Sequence, residues 1–369
     1  MDNRARLDFL FRNGKVNLDR GRLFDCSPGP KPPSFDFDRV EGMLLGVAVG
    51  DSLGVTSEGL SPEERRAFFG EVRDYLPNRY VDEERGFPSD DTQLTFWTLE
   101  QLIADKGFVP ENVALRIANG GRIFGAGRTV RGFLANFKAG TPWYESGPKS
   151  AGNGAIMRIA PMLIPHLRRG GSGLWVDTAL SAMMTHNDRC STSACVAFVA
   201  MLWELLDMSR PPDGRWWAER YVELAWDLEG DAHCTPRGGQ FTDYRGPLWR
   251  FVGEKLAWAA DRGLSVADAC HAWWSGAYLL ETMPSVLYIL SRHGHDPEEA
   301  LVRAVNDTWD NDTIAAVVGA AVGALHGKKA LPQRWIENLS GRTTDSDDGK
   351  VFELIEDARA VFWNAAAKG

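Results

Sequence analysis

The chain has 369 residues, 44% apolar and 25% charged, enough to bury a large core as one big domain or two ordinary ones. Its net charge of -9 at pH 7 gives no general attraction for nucleic-acid phosphates or anionic membranes, and no local basic patch interrupts that balance. Cys26, Cys190, Cys195, Cys234 and Cys270 are odd in number, scattered and without a C-x-x-C pair, which argues against a disulfide framework or a zinc knuckle and for a reducing compartment.

From the N-terminus, residues 1–38 mix both charge signs with scattered Leu and Phe and end in the run Ser27-Pro28-Gly29-Pro30-Lys31-Pro32-Pro33. They read as an N-terminal extension with an extended, Pro-rich linker and contain no signal-peptide core. No later stretch reaches the ~18 apolar residues of a membrane span, so the expected location is the cytoplasm. Beyond the linker, apolar residues recur at helical spacing, as in Ile156–Leu167, Thr178–Met184, Ala194–Leu206 and Ala277–Leu290, and period-two strands are nearly absent. The expectation is an all-α, single-domain fold over residues 39–365. Trp216, Trp217, Trp273 and Trp274 are read as core packing.

Two apolar segments carry Gly at every fourth residue: Gly42, Gly46, Gly50 and Gly54, then Gly319, Gly323 and Gly327. Mid-helix Gly costs about 0.5–1 kcal/mol against Ala, so such stripes predict that another backbone comes very close, and the two helices are each other's expected partners.

Ser89-Asp90-Asp91-Thr92 and Asp310-Asn311-Asp312-Thr313 each stand at the start of a predicted helix. Either one alone is explained as a helix cap. Two hydroxyl and carboxylate clusters at two centrally packed helix starts instead offer the oxygen set of a hard cation such as Mg²⁺, and four converging carboxylates would repel one another without one. Glu58 follows the first glycine stripe, as a surface residue or an acid at the site. Gly152-Asn153-Gly154 forms a turn whose N–H groups could approach a phosphate, and His186 ends a helical pattern as a cap, core residue or ligand contact.

In order, the blocks GMLLGVAVGDSLGVTSEG, PSDDTQLT, SAGNGAIMRIAPM, ALSAMMTH, ETMPSVLYIL and DNDTIAAVVGAAVGALHG resemble the ADP-ribosylglycohydrolase family, which includes the dinitrogenase reductase-activating glycohydrolases. The resemblance covers residues 40–328 and implies a compact helical fold with a binuclear Mg²⁺ centre, open to Mn²⁺, at the bottom of an ADP-ribose cleft. By that resemblance, Ser89, Asp90, Asp91, Asp310, Asp312 and Thr313 are metal ligands. Asp91 and Glu58 are the candidate acid/base residues; Gly152, Asn153 and Gly154 lie along the diphosphate, with His186 beside the distal ribose. Ser89 stands where the family commonly has Thr, and Thr308-Trp309 where it has Gly-Gly, so Trp309 is read either as a cleft wall or as packing.

The implied activity is hydrolysis of the glycosidic bond between ADP-ribose and a protein side chain, arginine first and serine-linked or O-acetyl forms as alternatives, through an oxocarbenium-like transition state. Some bacterial relatives act as immunity proteins against ADP-ribosyltransferase toxins, so the extension 1–38 is expected either to dock a toxin or to remain a tail. The competing expectation is a partner-binding protein that blocks a toxin without catalysis.

Overall fold

The computed structural model describes residues 2–78 and 83–364, in which the chain is helical and no strand forms; Gly86–Leu339, Gly152–Tyr278 and Cys234–Gly246 meet only as isolated bridges. The expected domain end at residue 365 lies just outside the described residues. At the centre the Asp38–Gly54 helix packs along the Asn311–His326 helix. Both are apolar on nearly every face and buried along almost their whole length, as helices enclosed by other helices must be.

The glycine stripes are the reason these two helices can meet backbone to backbone. A Cβ at Gly46 would lie 2.0 Å from the Gly319 carbonyl oxygen, and one at Gly319 would lie 2.0 Å from that of Gly46. Gly50 faces Ala315 and Gly54 faces Asp312 in the same way, so the contact continues into the second Asp motif. Around this pair stand the Asp90–Asp105, Pro297–Asp307 and Leu279–His293 helices. The Arg189–Leu205 helix, buried along nearly its whole length, also touches the Asn311–His326 helix, and the Gly173–Thr185, Gly214–Glu229 and Leu248–Asp261 helices pack beyond these. Trp217 and Trp273 are fully buried, as expected, whereas Trp274 is only half-buried.

Three local features differ from the sequence expectation. Ile156–Leu167 is two short 3₁₀ turns, Ile156–Arg158 and Ala160–His166, because Pro161 and Pro165 lack the N–H groups an α-helix would use. The segment 1–38 is not simply extended. Its Asn3–Arg12 helix packs on the Gly173–Thr185 helix with Leu7 and Leu10 buried, and Lys31 is buried in the linker, donating to the Trp203 carbonyl and pairing with Asp207. Cys190 and Cys234 are joined as a disulfide, their Cα atoms 7.4 Å apart; a separation of 44 residues gave no hint of that proximity.

Candidate functional site

The first Asp motif is built by a residue that sequence reasoning passed over. Asp51, fully buried near the end of the first glycine helix, accepts the backbone N–H of Ser89 at 2.9 Å and of Thr92 at 3.0 Å, and the Thr92 hydroxyl. It thereby fixes the start of the Asp90–Asp105 helix against the central pair. Ser89 is the N-cap, its Oγ accepting the Asp91 N–H at 3.3 Å, so the capping explanation is correct as far as it goes. Ser89 Oγ also donates to Asp91 Oδ2 at 3.1 Å, and Thr313 Oγ1 of the second motif reaches the same oxygen at 3.3 Å.

The second motif departs from simple capping. Asp310 occupies the N-cap position of the Asn311–His326 helix but makes no side-chain cap; its Oδ2 accepts from Asn153 Nδ2 at 2.5 Å. Asn311 Nδ2 ties the motif to the first glycine helix through the Gly54 carbonyl at 3.1 Å and Ser57 Oγ at 3.0 Å. Behind it, buried Arg65 donates to Ser57 Oγ at 3.0 Å and to the Thr308 carbonyl at 3.0 Å.

The two motifs converge into two overlapping carboxylate trios, Asp51–Asp91–Asp312 and Glu58–Asp310–Asp312, each with ligand oxygens within 4.8 Å of one another. Asp312 belongs to both. Asp90 stands beside them, its Oδ1 3.4 Å from the Cβ position of Gly125. Glu58 is the exposed member. Among the described residues none of the five aspartates makes an ion pair within 4.0 Å, and Asp91 Oδ1 is buried with no hydrogen-bond partner.

Burial raises all five acids; repulsion from neighbouring carboxylates adds to it at Asp90, Asp91, Asp310 and Asp312, whereas the hydrogen bonds from Ser89 and Thr92 oppose it at Asp51. Asp90 is pushed up to about 7, chiefly by desolvation and then by Asp51. Asp310 is likewise raised to about 7 by burial, against the Asn153 hydrogen bond. Asp51, Asp91 and Asp312 move in the same direction, the last two well above the ordinary carboxylate range. Buried aspartates that make no ion pair, with an unsatisfied oxygen of Asp91 among them, have the donor chemistry a pair of hard divalent cations takes.

The Gly152–Asn153–Gly154 turn lies directly beside this cluster. A Cβ at Gly154 would meet His186 Cε1 at 2.9 Å, so the imidazole packs on the bare backbone of the turn. His186 is buried, with Nδ1 3.0 Å from Thr185 Oγ1; burial and then the Arg158 charge lower its pKa to about 3, so it is neutral at pH 7. Trp309, beside Asp310, stacks on Trp274 with ring centres 4.4 Å apart. Trp274 and Ser275 both have positive φ, 76° and 30°, a sparsely populated backbone held by the Trp309 and Asp310 N–H groups donating to Ser275 Oγ and Ser275 O.

Sequence reading missed Asp51, an acid in the last, fully buried turn of an apolar glycine helix; a carboxylate in such a setting is itself a pointer, since buried charges demand partners. It also missed Glu281 and Arg237, which stand near Asp310.

A helical bundle that gathers Asp51 and the two Asp motifs around its central helix pair has the carboxylate groups of a metal-holding centre. The ADP-ribosylglycohydrolase family model matches residues 32–366, and the chain belongs to that family. It is 32% identical over 329 residues to an uncharacterized protein of Archaeoglobus fulgidus, covering 86% of this chain and 97% of that protein. It is 26% identical to the ADP-ribosylarginine hydrolase Tri1 of Pseudomonas putida, over 84% of this chain and 76% of that one. A solved ADP-ribosylglycohydrolase-related protein complex superposes with a TM-score of 0.62 at 28% identity, covering 88% of this chain and 97% of that chain. The chain is therefore an all-α hydrolase of ADP-ribose linkages. No helix among the described residues is long and apolar enough to cross a membrane.

Proposed function

We propose that this chain is a Mg²⁺-dependent ADP-ribosylarginine hydrolase. The observation that carries this reading is the convergence of the two Asp motifs on the shared Asp312, beside the glycine turn packed on His186. Ser89, Asp90, Asp91, Asp310, Asp312 and Thr313 would hold two magnesium ions, with Mn²⁺ as a substitute, and Asp51 orients the first motif from behind. When bound, the ions supply Lewis-acid stabilisation of the ribose hydroxyls and of charge developing in the transition state.

The remaining work falls to the protein. The turn Gly152–Gly154 and the neutral His186 hold the ligand without repelling it, and Asn153 keeps Asp310 aimed inward. Asp91 is enclosed, with hydroxyls on one oxygen, which suits a fixed ligand; exposed Glu58 is placed to exchange a proton. Glu58 takes the proton of the attacking water as its oxygen bonds to the distal ribose carbon. The C–N bond breaks and the proton passes to the departing guanidine. An arginine linkage is supported by the likeness to an ADP-ribosylarginine hydrolase.

The test is release of free ADP-ribose from an arginine-ADP-ribosylated protein, with Mg²⁺ or with EDTA, for wild type and Asp310→Ala. Release in magnesium only, lost in the variant, is expected. Release of equal rate in EDTA or in Asp310→Ala would overturn the proposed centre, and release only from a serine-modified substrate would overturn the arginine assignment.

A second role, docking an ADP-ribosyltransferase toxin, is supported by one feature of residues 1–38. Phe9 is 41% exposed beside a groove of about 290 Å³ formed with Leu10, Glu111, Trp143 and Tyr144. Because Leu7 and Leu10 belong to the core, deleting the segment would unfold its surroundings, so the informative change is Phe9→Asp. Loss of toxin binding with hydrolysis intact is the expected result; unchanged binding in a pull-down with the transferase would remove this role.

A further inference from the structure

The ligand of this family carries a diphosphate one ribose away from the carboxylate cluster. With Asp51, Asp90, Asp91, Asp310, Asp312 and Glu58 around the cleft, that anion needs a cation of the protein to offset the repulsion. The glycine turn offers backbone N–H groups and the neighbouring His186 is neutral, so neither supplies full positive charge.

The segment 231–247, between the Gly214–Glu229 and Leu248–Asp261 helices, carries such a charge next to the strip that pairs with the glycine turn. Its neck is closed by the paired backbones of Cys234 and Gly246 and fastened by the Cys190–Cys234 bond to the start of the Arg189–Leu205 helix. Its tip is fixed by the Arg237 N–H donating to Glu281 Oε1 at 2.8 Å and by the Gln240 N–H donating to the Ala272 carbonyl at 2.7 Å. Arg237 then lays its guanidinium 4.6 Å above the ring of Tyr278, the residue bridged to Gly152 of the glycine turn. Its nearest contact with the Glu281 carboxylate through the side chain is loose, 3.6 Å from Nη2 to Oε2, and the side chain is 57% exposed. Stacking fixes the plane of the guanidinium while leaving N–H groups on its edge to bind a second anion. Asp310, which accepts from Asn153 of the same glycine turn, lies within range of its charge.

We propose that Arg237 is a ligand-binding residue of the cleft that grips the diphosphate of ADP-ribose, with Tyr278 orienting it and Glu281 holding it when the cleft is empty. This rests on the ADP-ribose hydrolase reading. It assigns to the 231–247 segment, which lies outside every motif that marks the family in this sequence, the task of completing the anion site.

The experiment is titration calorimetry of the full-length protein with ADP-ribose in Mg²⁺, for wild type, Arg237→Ala, Arg237→Lys and Glu281→Gln, with adenosine as the phosphate-free probe. Loss of a charge-assisted bidentate contact is expected to raise the Kd for ADP-ribose about tenfold or more in Arg237→Ala. Arg237→Lys recovers part of the loss, Glu281→Gln leaves affinity unchanged or tighter, and adenosine binding is the same in all four. An unchanged Kd in Arg237→Ala would overturn the assignment. So would equal weakening in Arg237→Ala and Glu281→Gln, which would mean that the ion pair only pins the loop. Absence of any ADP-ribose binding by the wild type would instead overturn the hydrolase reading beneath it.

Discussion

Gly46→Val is expected to leave no soluble folded protein. The added Cβ lies 2.0 Å from the Gly319 carbonyl oxygen and 2.5 Å from its carbonyl carbon, and these are helix backbone atoms that cannot rotate away as a side chain would. Relief requires the two central helices to move apart. That also separates Gly54 from Asp312 and Gly50 from Ala315, whose backbones are equally close. Overpacking a core commonly costs about 1–3 kcal/mol where side chains can yield; here the whole interface must open, so the loss exceeds that range and a large part of an ordinary domain's stability. Even Gly46→Ala should lower the melting temperature markedly. Gly107→Ala, where a Cβ meets nothing within 4 Å, serves as the neutral control. Thermal unfolding followed by circular dichroism distinguishes them, and a Gly46→Ala protein as stable as Gly107→Ala would contradict the close backbone packing.

The second large effect runs in two directions at once. Asp312→Asn should abolish magnesium-dependent hydrolysis, by two or more orders of magnitude, while making the metal-free protein more stable at alkaline pH. Asp312 is shared by both carboxylate trios and is raised well above its ordinary pKa, first by burial and then by Glu58, Asp310, Asp91 and Asp51. Its Oδ1 accepts the Thr313 N–H at 2.8 Å, a bond an amide oxygen keeps. The sign follows from proton linkage. Asp90 and Asp310 titrate near 7 in the folded chain and near 3.8 when unfolded, so between those values the native state holds protons that the unfolded chain has released. Stability of the metal-free protein therefore falls as pH rises through that window. Removing one charge at the centre of the cluster lessens the fall. Magnesium should do the same for wild type, release protons as it binds, and raise the melting temperature more at pH 8 than at pH 6; Asp312→Asn should lose that magnesium response. Melting curves at both pH values, with EDTA or Mg²⁺, check the stability effects, and release of free ADP-ribose checks the loss of hydrolysis. A variant less stable than wild type in EDTA at pH 8 would show that the cluster is not electrostatically strained.

What could be read from the sequence was what has a local pattern. The glycine stripes predicted a backbone-to-backbone helix pair, and Gly46 against Gly319 is that contact. The hydroxyl-carboxylate motifs predicted two helix starts facing one another, and Thr313 Oγ1 against Asp91 Oδ2 joins them. Asp51 stayed hidden because its role depends on Ser89 and Thr92, about forty positions away, and no short-range spacing encodes that distance. The 3₁₀ turns after Asn153 were misread because apolar periodicity outweighed two prolines that remove backbone donors. The Cys190–Cys234 bond and the Arg237 loop depend on how the outer helices pack, which only the folded chain displays. Trp309 is open in the sequence between a cleft wall and packing, and it stacks on Trp274, which lies on another element and reads in the sequence as core.

The pairing of the Asp38–Gly54 and Asn311–His326 helices also dictates an order of events when the protein is made. The first is synthesised well before the second, apolar on nearly every side, and most of the helices described above are made between them. Until then its glycine face has no neighbour, and contacts this distant in sequence carry a high loop-closure entropy and form slowly. The centre of the molecule is thus completed only when the Asn311–His326 helix arrives. A nascent chain of this protein must shelter a buried-type helix until that partner is made, which makes it a natural client for chaperones that bind exposed apolar segments.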